Sequence, residues 1–170
     1  MDKIAETAGV SKRTVYNHFC SKEGLFDEIV NLLFKLLSES VDATYTPGAP
    51  LEPQLVHLIE QKMALYSCSK FLRLSKMVMA ELIHRPEKAH ELACNIEKRQ
   101  HGVLVWIDAA CEDGKLTIQD TKFASHQLEG LIKSFAYWPQ ISIGKPTLTE
   151  QEQKMVAESS AKMFLAYYAN

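Results

Sequence analysis

Apolar residues recur at helical spacing from near the start of this 170-residue chain to its end. The clearest run follows Ser21 and comprises Leu25, Phe26, Ile29, Val30, Leu33, Phe34 and Leu37. This spacing places the residues in one stripe along more than three helical turns. No stretch of the sequence shows a convincing alternation of apolar and polar residues, the pattern that would indicate a β-strand. The sequence therefore predicts an all-α fold.

Capping and helix-breaking residues set the predicted boundaries. Gly9 ends a first helix, Ser11 and Ser21 cap the second and third, and TPGAP at 46–50 is the clearest break. The predicted helices cover 2–8, 12–19, a stretch from 22 that ends before 46, 51–66, 70–84 and 86–110. Two more follow Asp120 and Thr149, and 137–146 is expected to be a loop.

Composition limits the classes of function. Apolar residues make up 46% of the chain, enough for a core, and the net charge is -2. Contact with nucleic acid would therefore need a local basic patch. The first 26 residues carry +1 and the remainder -3, which favours the front of the chain for such a patch.

The four cysteines form no C-x-x-C pair, and no signal peptide is recognisable. They are expected to be reduced thiols packed inside a cytoplasmic protein, with a redox-sensing cysteine as the open alternative. No apolar run approaches the roughly 18–20 residues of a membrane span, so no membrane contact is expected.

Motifs of common enzymes are absent from the sequence. There is no G-x-S-x-G, P-loop, H-E-x-x-H or glycine-rich dinucleotide turn. No residue pair has clear metal-ligand spacing. The sequence predicts neither a catalytic residue, nor a metal site, nor a cofactor, and the protein is not expected to be an enzyme.

The segment AGVSKRTVYNHFCSKEGLF at 8–26 predicts a helix-turn-helix. Gly9 supplies the tight turn, while Val10, Val15 and Phe19 are expected to face inward. The second helix would present polar side chains that can donate to base edges and phosphates. By pattern alone, an ordinary exposed helix pair remains an alternative.

The residues DKIAETAGVSKRTVYNHFCSKEGLF at 2–26 resemble the DNA-binding domain of TetR-family transcriptional repressors. The resemblance rests on I-A-x-x-A-G-V-S, then T-V-Y-x-H-F, then S-K-E-x-L-F. It implies that the start of the second helix lies nearest the bases, that Tyr16 and His18 address phosphates, and that Lys22 clamps one. The candidate DNA-binding residues are Ser11, Lys12, Arg13, Thr14, Tyr16, Asn17, His18 and Lys22.

The family usually has a further helix before the position of Ile4, which covers the apolar side of the helix pair. Here Met1 falls inside the second family helix, so Ile4, Val10 and Phe19 are expected to be under-packed. Three explanations stay open: an internal Met taken as the start, a sequence restricted to ordered residues, or a short form with weak DNA affinity.

The resemblance also implies two domains. Residues 1–45 would form the truncated DNA-binding domain with its linking helix, and 46–170 a ligand-binding and dimerisation domain. The segment EDGKLTIQDTKFASHQLEGLIKSFAYWPQI at 112–141 resembles the AefR-like branch of the family.

A ligand pocket is expected between the helices of 51–136. Its candidate lining residues are Met63, Tyr66, Phe71, Met77, Met79, Trp106, Phe123, His126 and Phe135. Methionine adapts to varied ligands, and His84, His101 or His126 could supply a polar anchor. Plain core packing is the alternative for each.

A two-fold DNA site calls for a dimer. The last two helices are apolar on more than one side, so each could bury one face in its own core and one in a partner. The candidate interface residues are Leu128, Leu131, Phe135, Val156, Ser160, Met163, Phe164 and Tyr167. A helix buried in a monomer is the alternative.

Taken together, these expectations describe a homodimeric transcriptional regulator. It would bind a palindromic operator, most simply as a repressor, and leave it when an unknown small molecule binds. The alternative is a ligand-binding dimeric interaction protein whose DNA-binding head is incomplete.

Overall fold

A computed structural model of the chain describes residues 1–97 and 102–170. The regular secondary structure of this part is helical apart from one isolated bridge between Leu116 and Ala169, which confirms the all-α class. The helices are α1 (Asp2–Ala8), α2 (Lys12–His18), α3 (Lys22–Glu39), α4 (Leu51–Ser67), α5 (Ser69–His84), α6 (Pro86–Glu97), α7 (Gly102–Glu112), α8 (Thr121–Ala136), α9 (Trp138–Ser142) and α10 (Glu150–Tyr168).

The turn between α1 and α2 depends on Gly9. Its φ of 66° lies in the left-handed region that favours glycine. The N–H of Val10 then donates to the carbonyl of Ala5 at 3.0 Å, which closes α1 in the manner of a Schellman motif. The Ser11 hydroxyl caps α2, and the Ser21 hydroxyl caps α3 by accepting from the N–H of Gly24 at 3.0 Å.

We call α1 and α2 the head and α4 to α10 the body. α3 follows the head and packs against α5 of the body. The linker after α3 is held by two glutamines of α4. Gln61 accepts from the N–H of Asp42 at 2.6 Å, and Gln54 accepts from the N–H of Thr46 at 2.8 Å. These bonds satisfy linker backbone groups that no helix satisfies.

The core of the body lies where α10 packs against α4 and α8. Leu55, Ile59, Ile107, Leu128 and Ala157 are fully buried there. A Cβ at Gly102 would lie 3.2 Å from the side chains of Val41 and Ala43. Glycine at this position therefore lets the linker lie close against the start of α7.

The segment 137–146 differs from its prediction. It is predicted as a loop, but it contains the short helix α9. Pro139 lies in its first turn, where the missing N–H has little cost. The buried Gln140 amide donates to the carbonyls of Phe135 and Pro146 and ties the segment down.

The helix predicted over 86–110 and the expected burial of the four cysteines also differ from the structure in part. The helix predicted over 86–110 is described as α6 and α7, and residues 98–101 between them lie outside the described residues. Cys20 and Cys68 are exposed rather than packed inside, whereas Cys94 and Cys111 are half-buried.

Candidate nucleic-acid interface and effector cavity

α2 presents its polar side chains outward because one small apolar residue anchors it. Val15 is 5% exposed, whereas Arg13, Tyr16, Asn17 and His18 are exposed. The helix therefore offers guanidinium, phenol, amide and imidazole groups on its free surface, all of which can contact bases or phosphates.

Two predicted contact residues at the start of α2 are engaged in its cap. The Ser11 hydroxyl accepts from the N–H of Thr14 at 3.0 Å and lies 2.8 Å from the Thr14 hydroxyl. Lys12 forms an exposed ion pair with Asp2 at 2.7 Å, and this hydrogen bond lowers the pKa of the Asp2 carboxyl. Lys12 is thus directed toward the start of α1.

An ionic network joins the head to the body at the N-terminus of α3. The guanidinium of Arg85, after α5, lies 2.9 Å from Glu23 and 3.2 Å from Glu81. Lys88 lies 3.8 Å from Glu23, and Lys22 lies 3.7 Å from Glu81. Hydrogen bonding between Arg85 and Glu23 lowers the pKa of Glu23 and raises that of Arg85. The predicted phosphate clamp, Lys22, is therefore paired with a carboxylate of the body.

The head also carries an apolar surface. Ile4 is 41% and Val10 is 43% exposed, and Phe19 is half-buried. The inward orientation predicted for Val10 is wrong, because much of its side chain is open to solvent at the turn. This exposure is the under-packing that the sequence predicts for Ile4 and Val10.

A cavity of about 400 Å³ lies beside α3 and has both apolar and charged groups on its wall. It is called the polar cavity because Lys62, His126, Glu129 and Lys133 line it. On its wall, the carboxylate of Glu129 lies 2.6 Å from the Lys62 ammonium and 3.0 Å from that of Lys133. The Tyr66 hydroxyl donates to the same carboxylate at 3.2 Å. Burial raises the pKa of Glu129, but the two lysines outweigh this and hold it at about 2. Glu129 is therefore ionised.

An apolar cavity of about 280 Å³ adjoins the first. Phe34, Leu37, Tyr66 and Lys133 line both cavities. Because Phe34 and Leu37 belong to α3, the helix that carries the head contributes directly to the wall of both.

The predicted pocket residues separate into three groups. Tyr66, Phe71 and Met79 line the apolar cavity, and Tyr66 and His126 line the polar one. Met63 and Trp106 are at most 1% exposed and belong to the core, while His84 is exposed and His101 lies outside the described residues. The remaining three predicted lining residues are corrected to the surface, with exposures between 53% and 58%: Met77, Phe123 and Phe135.

The predicted interface residues fall on two faces. Four of them point into the chain's own core, with at most 7% exposure: Leu128, Val156, Ser160 and Phe164. These four are corrected to core residues, because buried side chains cannot reach a partner. Phe135, Met163 and Tyr167 are 53%, 60% and 80% exposed, and Leu131 is half-buried.

The spacing on α10 explains the division. Val156, Ser160 and Phe164 repeat every four residues and share one face. Met155 and Met163 are offset from them by one residue, about 100° around the helix, and are 63% and 60% exposed. The sequence shows both apolar stripes but does not say which one faces inward.

Sequence reasoning missed Lys62, Glu129 and Lys133 as site residues. The sequence does contain a signal for Lys62, because this residue continues the apolar stripe of Leu55, Leu58 and Ile59 at helical spacing. A charge in such a stripe needs a buried partner. The identity of that partner, 67 positions further along the chain, depends on tertiary packing.

Two further observations bear on the possible chemistry. Within 1–97 and 102–170, no group of three or more His, Cys, Asp or Glu residues is arranged to hold a metal ion. No helix in this part of the chain is long and apolar enough to cross a membrane.

A two-helix head with an outward-facing polar second helix, attached through α3 to a helical body with cavities, defines the class of helix-turn-helix regulators. Comparison with known proteins agrees. Residues 1–29 match the family model of bacterial regulatory proteins of the tetR family. Residues 53–170 match the model of the AefR-like transcriptional repressor C-terminal domain. The chain therefore belongs to the TetR family, with an AefR-like C-terminal domain.

Individual relatives support this assignment. A TetR family transcriptional regulator from Pseudomonas syringae pv. tomato is 43% identical, with 99% of this chain and 85% of that chain covered and a TM-score of 0.87. A TetR transcriptional regulator from Agrobacterium tumefaciens shares the fold at 20% identity, with 98% and 82% covered and a TM-score of 0.75.

A curated relative, the uncharacterized HTH-type transcriptional regulator YhgD of Bacillus subtilis, is 29% identical over 116 residues. The match covers 67% of this chain and 57% of that protein. TetR-type proteins are transcriptional regulators and not enzymes. The family assignment therefore confirms the expectation that this chain is a regulator rather than an enzyme.

Proposed function

We propose that this chain acts as a homodimeric, cytoplasmic transcriptional repressor that binds a palindromic operator and leaves it when a small molecule enters the body. The observation that carries the proposal is the arrangement of α2, in which Val15 is buried and Arg13, Tyr16, Asn17 and His18 are exposed. Such a surface combines groups for base edges with groups for phosphates.

In this account, α2 enters the major groove. Arg13 contacts a base edge, while Tyr16 and His18 contact phosphates on either side. Lys22 and the N-terminal amides of α3 hold a further phosphate, provided that Lys22 leaves Glu81. Ser11 and Thr14 hold the start of α2 in place through the cap, and Lys12 reaches DNA only if it leaves Asp2.

The dimer is supported by exposed apolar side chains on α8 and α10. These residues are Phe123, Phe135, Met155, Met163 and Tyr167, each more than half exposed. Pairing of the two helices with their copies would form a four-helix bundle and cover this surface. Two heads on a two-fold axis would then read half-sites about one helical turn apart.

Release by a ligand is supported by the position of α3. This helix begins four residues after the last residue of α2 and contributes Phe34 and Leu37 to both cavities. A ligand between α3 and α4 would displace α3 and thereby the head. For release, the ligand must prefer the conformation that does not bind DNA. Unchanged operator affinity with a compound bound in the cavity would contradict this step.

Selection of DNA from a random pool by the full chain tests the proposal. The expected product is an enriched inverted repeat with its half-sites about one helical turn apart. Arg13→Ala should enrich the repeat more weakly and with one base position of each half-site relaxed, while Lys115→Ala, in an exposed turn after α7, should enrich the same repeat as the parent chain. Enrichment of no motif, or of a motif without two-fold symmetry, would contradict the proposal.

The second candidate is a ligand-binding dimer with an incomplete head, and the exposure of Ile4 and Val10 favours it. The dependence of DNA affinity on salt separates the two candidates. A working head releases counterions from several phosphates, so its affinity falls steeply as salt rises. An incomplete head would bind little DNA at any salt concentration.

A further inference from the structure

The two cavities beside α3 share enough of their walls to form one site. The polar cavity of about 400 Å³ and the apolar cavity of about 280 Å³ have Phe34, Leu37, Tyr66 and Lys133 in common. Together they have the size of sites for small organic ligands. An occupant that spans both would meet an apolar wall at one end and charged groups at the other.

The apolar end is lined by aromatic rings. The ring centroids of Tyr66, Phe71 and Tyr137 lie 5.4 to 6.1 Å from one another, and Trp138 adjoins Tyr137 at 5.0 Å. These separations are those of packed aromatic pairs, so the rings form one continuous aromatic wall along the cavity. A flat aromatic occupant fits such a wall because it gains these ring contacts in addition to burial.

One hydroxyl interrupts this apolar wall. Ser75 on α5 is 0% exposed and lines the apolar cavity. Its hydroxyl has no hydrogen-bond partner within the described residues 1–97 and 102–170. Buried hydroxyls ordinarily have a hydrogen-bond partner. A polar substituent on a bound ligand could supply that partner for the Ser75 hydroxyl.

The charged end has an excess of positive charge. Lys62 and Lys133 are both bonded to the single carboxylate of Glu129, which leaves a net charge of +1. The Tyr66 hydroxyl donates to the same carboxylate, so Glu129 already accepts from three donors. Each ammonium keeps further donors, and Lys133 lines both cavities.

We propose that the effector of this protein is an aromatic acid, with its ring system against Tyr66, Phe71 and Tyr137 and its anionic group on Lys133. The proposal rests on the proposed function, because it names the ligand class of the same cavity. An anionic group neutralises the excess positive charge in a partly buried place, where an unpaired charge is costly. A cationic ligand would instead add to that charge.

Calorimetric titration of the full chain with 2-naphthoate and with 2-naphthamide tests the proposal. The two probes have the same ring system, and only the first carries a charge. We expect 2-naphthoate to bind at least about tenfold more tightly, because hydrogen bonds to charged groups are the stronger ones. Equal affinities, or tighter binding of the amide, would overturn the proposal.

Lys133→Met should remove this preference while leaving the affinity for 2-naphthamide within about threefold. Glu129 keeps Lys62 as its partner in this variant, so the fold is retained. The matched control is Lys154→Met, because Lys154 likewise pairs with a glutamate one helical turn away, Glu158, at 3.9 Å on α10. The control should keep the full preference. A preference that survives Lys133→Met would also overturn the proposal.

Operator binding without any probe separates this proposal from the proposed function. If 2-naphthoate binds with the Lys133-dependent preference but no operator is bound, the ligand class stands and the regulatory function fails. If the operator is bound but the probes show no charge preference, the regulatory function stands and the ligand class fails.

Discussion

The Arg85 guanidinium lies 2.9 Å from the Glu23 carboxylate and so ties the end of α5 to the first turn of α3. Arg85 also bonds Glu81, which in turn faces Lys22 at 3.7 Å. The head therefore meets the body through charges next to the predicted phosphate clamp. Any movement of α5 relative to α3 changes where Lys22 is held.

Removal of the Glu81 charge should strengthen operator binding. In Glu81→Gln, Lys22 loses its competing carboxylate and is free for a phosphate. Exposed pairs contribute about 0.2–1 kcal/mol, so the operator dissociation constant should fall by roughly 1.5- to 5-fold at low salt. Fluorescence anisotropy with labelled operator measures the change. Glu60→Gln, an exposed position on α4, is the matched control, and an equal gain there would refute the role of Glu81.

Arg13→Ala should weaken operator binding and relax specificity at one base position. Arg13 is exposed on α2, and a side chain that reads a base edge contributes about 1–3 kcal/mol of discrimination. Lys22→Ala should instead weaken binding to all sequences and reduce the salt slope by about one. Titration of operator and single-base variants distinguishes the two. A uniform loss for Arg13→Ala would assign it to phosphate contact.

Charge on the exposed face of α10 should dissociate the dimer. Met163 is 60% exposed, and Met163→Glu would bury a carboxylate without a partner in the proposed four-helix bundle between the two chains. We expect the dimer dissociation constant to rise at least about tenfold, measured by sedimentation equilibrium. Met77→Glu, 54% exposed on α5, should leave the dimer intact. If Met163→Glu remains as dimeric as the parent chain, the interface lies elsewhere.

Acid should destabilise the body through Glu129. The pKa of this carboxyl is about 2 in the folded chain, below the roughly 4.3 of an exposed glutamate. Because the folded pKa is the lower one, its contribution is complete above about pH 4.3 and is lost as pH falls toward 2. The difference corresponds to about 3 kcal/mol.

Urea unfolding at several pH values, read at the helical signal, measures this loss. Glu129→Gln should lower the free energy of unfolding at pH 7, because Lys62 is left buried beside a neutral amide. It should also flatten the dependence below about pH 4.3. Glu158→Gln, the half-buried partner of Lys154, should keep the original dependence. Identical pH profiles for Glu129→Gln and the parent chain would exclude Glu129 as the cause.

Local signals in the sequence predicted much of the fold. Gly9, Ser11 and Ser21 gave the boundaries of α1, α2 and α3 because turns and caps depend on the residues beside them. The helix α9 was not predicted, because it is held by the buried Gln140 side chain, whose hydrogen-bond partners lie outside the helix. Periodicity likewise showed two stripes on α10 but not which one faces the core.

The effector cavity was less accessible to sequence reasoning. Aromatic and methionine content marked Tyr66, Phe71 and Met79, which line a cavity, and equally Met63, which lies in the core. The pairing of Lys62 with Glu129 joins α4 to α8 across the tertiary structure. Only packing of those helices places the two charges 2.6 Å apart.

The most direct test of the central claim is fluorescence anisotropy of the full chain with DNA from just upstream of its own gene, at about 50 and 200 mM salt. We predict binding that is tight at low salt and falls roughly 10³-fold at high salt, as expected for about six neutralised phosphates. Absence of binding at low salt, or affinity that is insensitive to salt, would contradict a DNA-reading head in this chain.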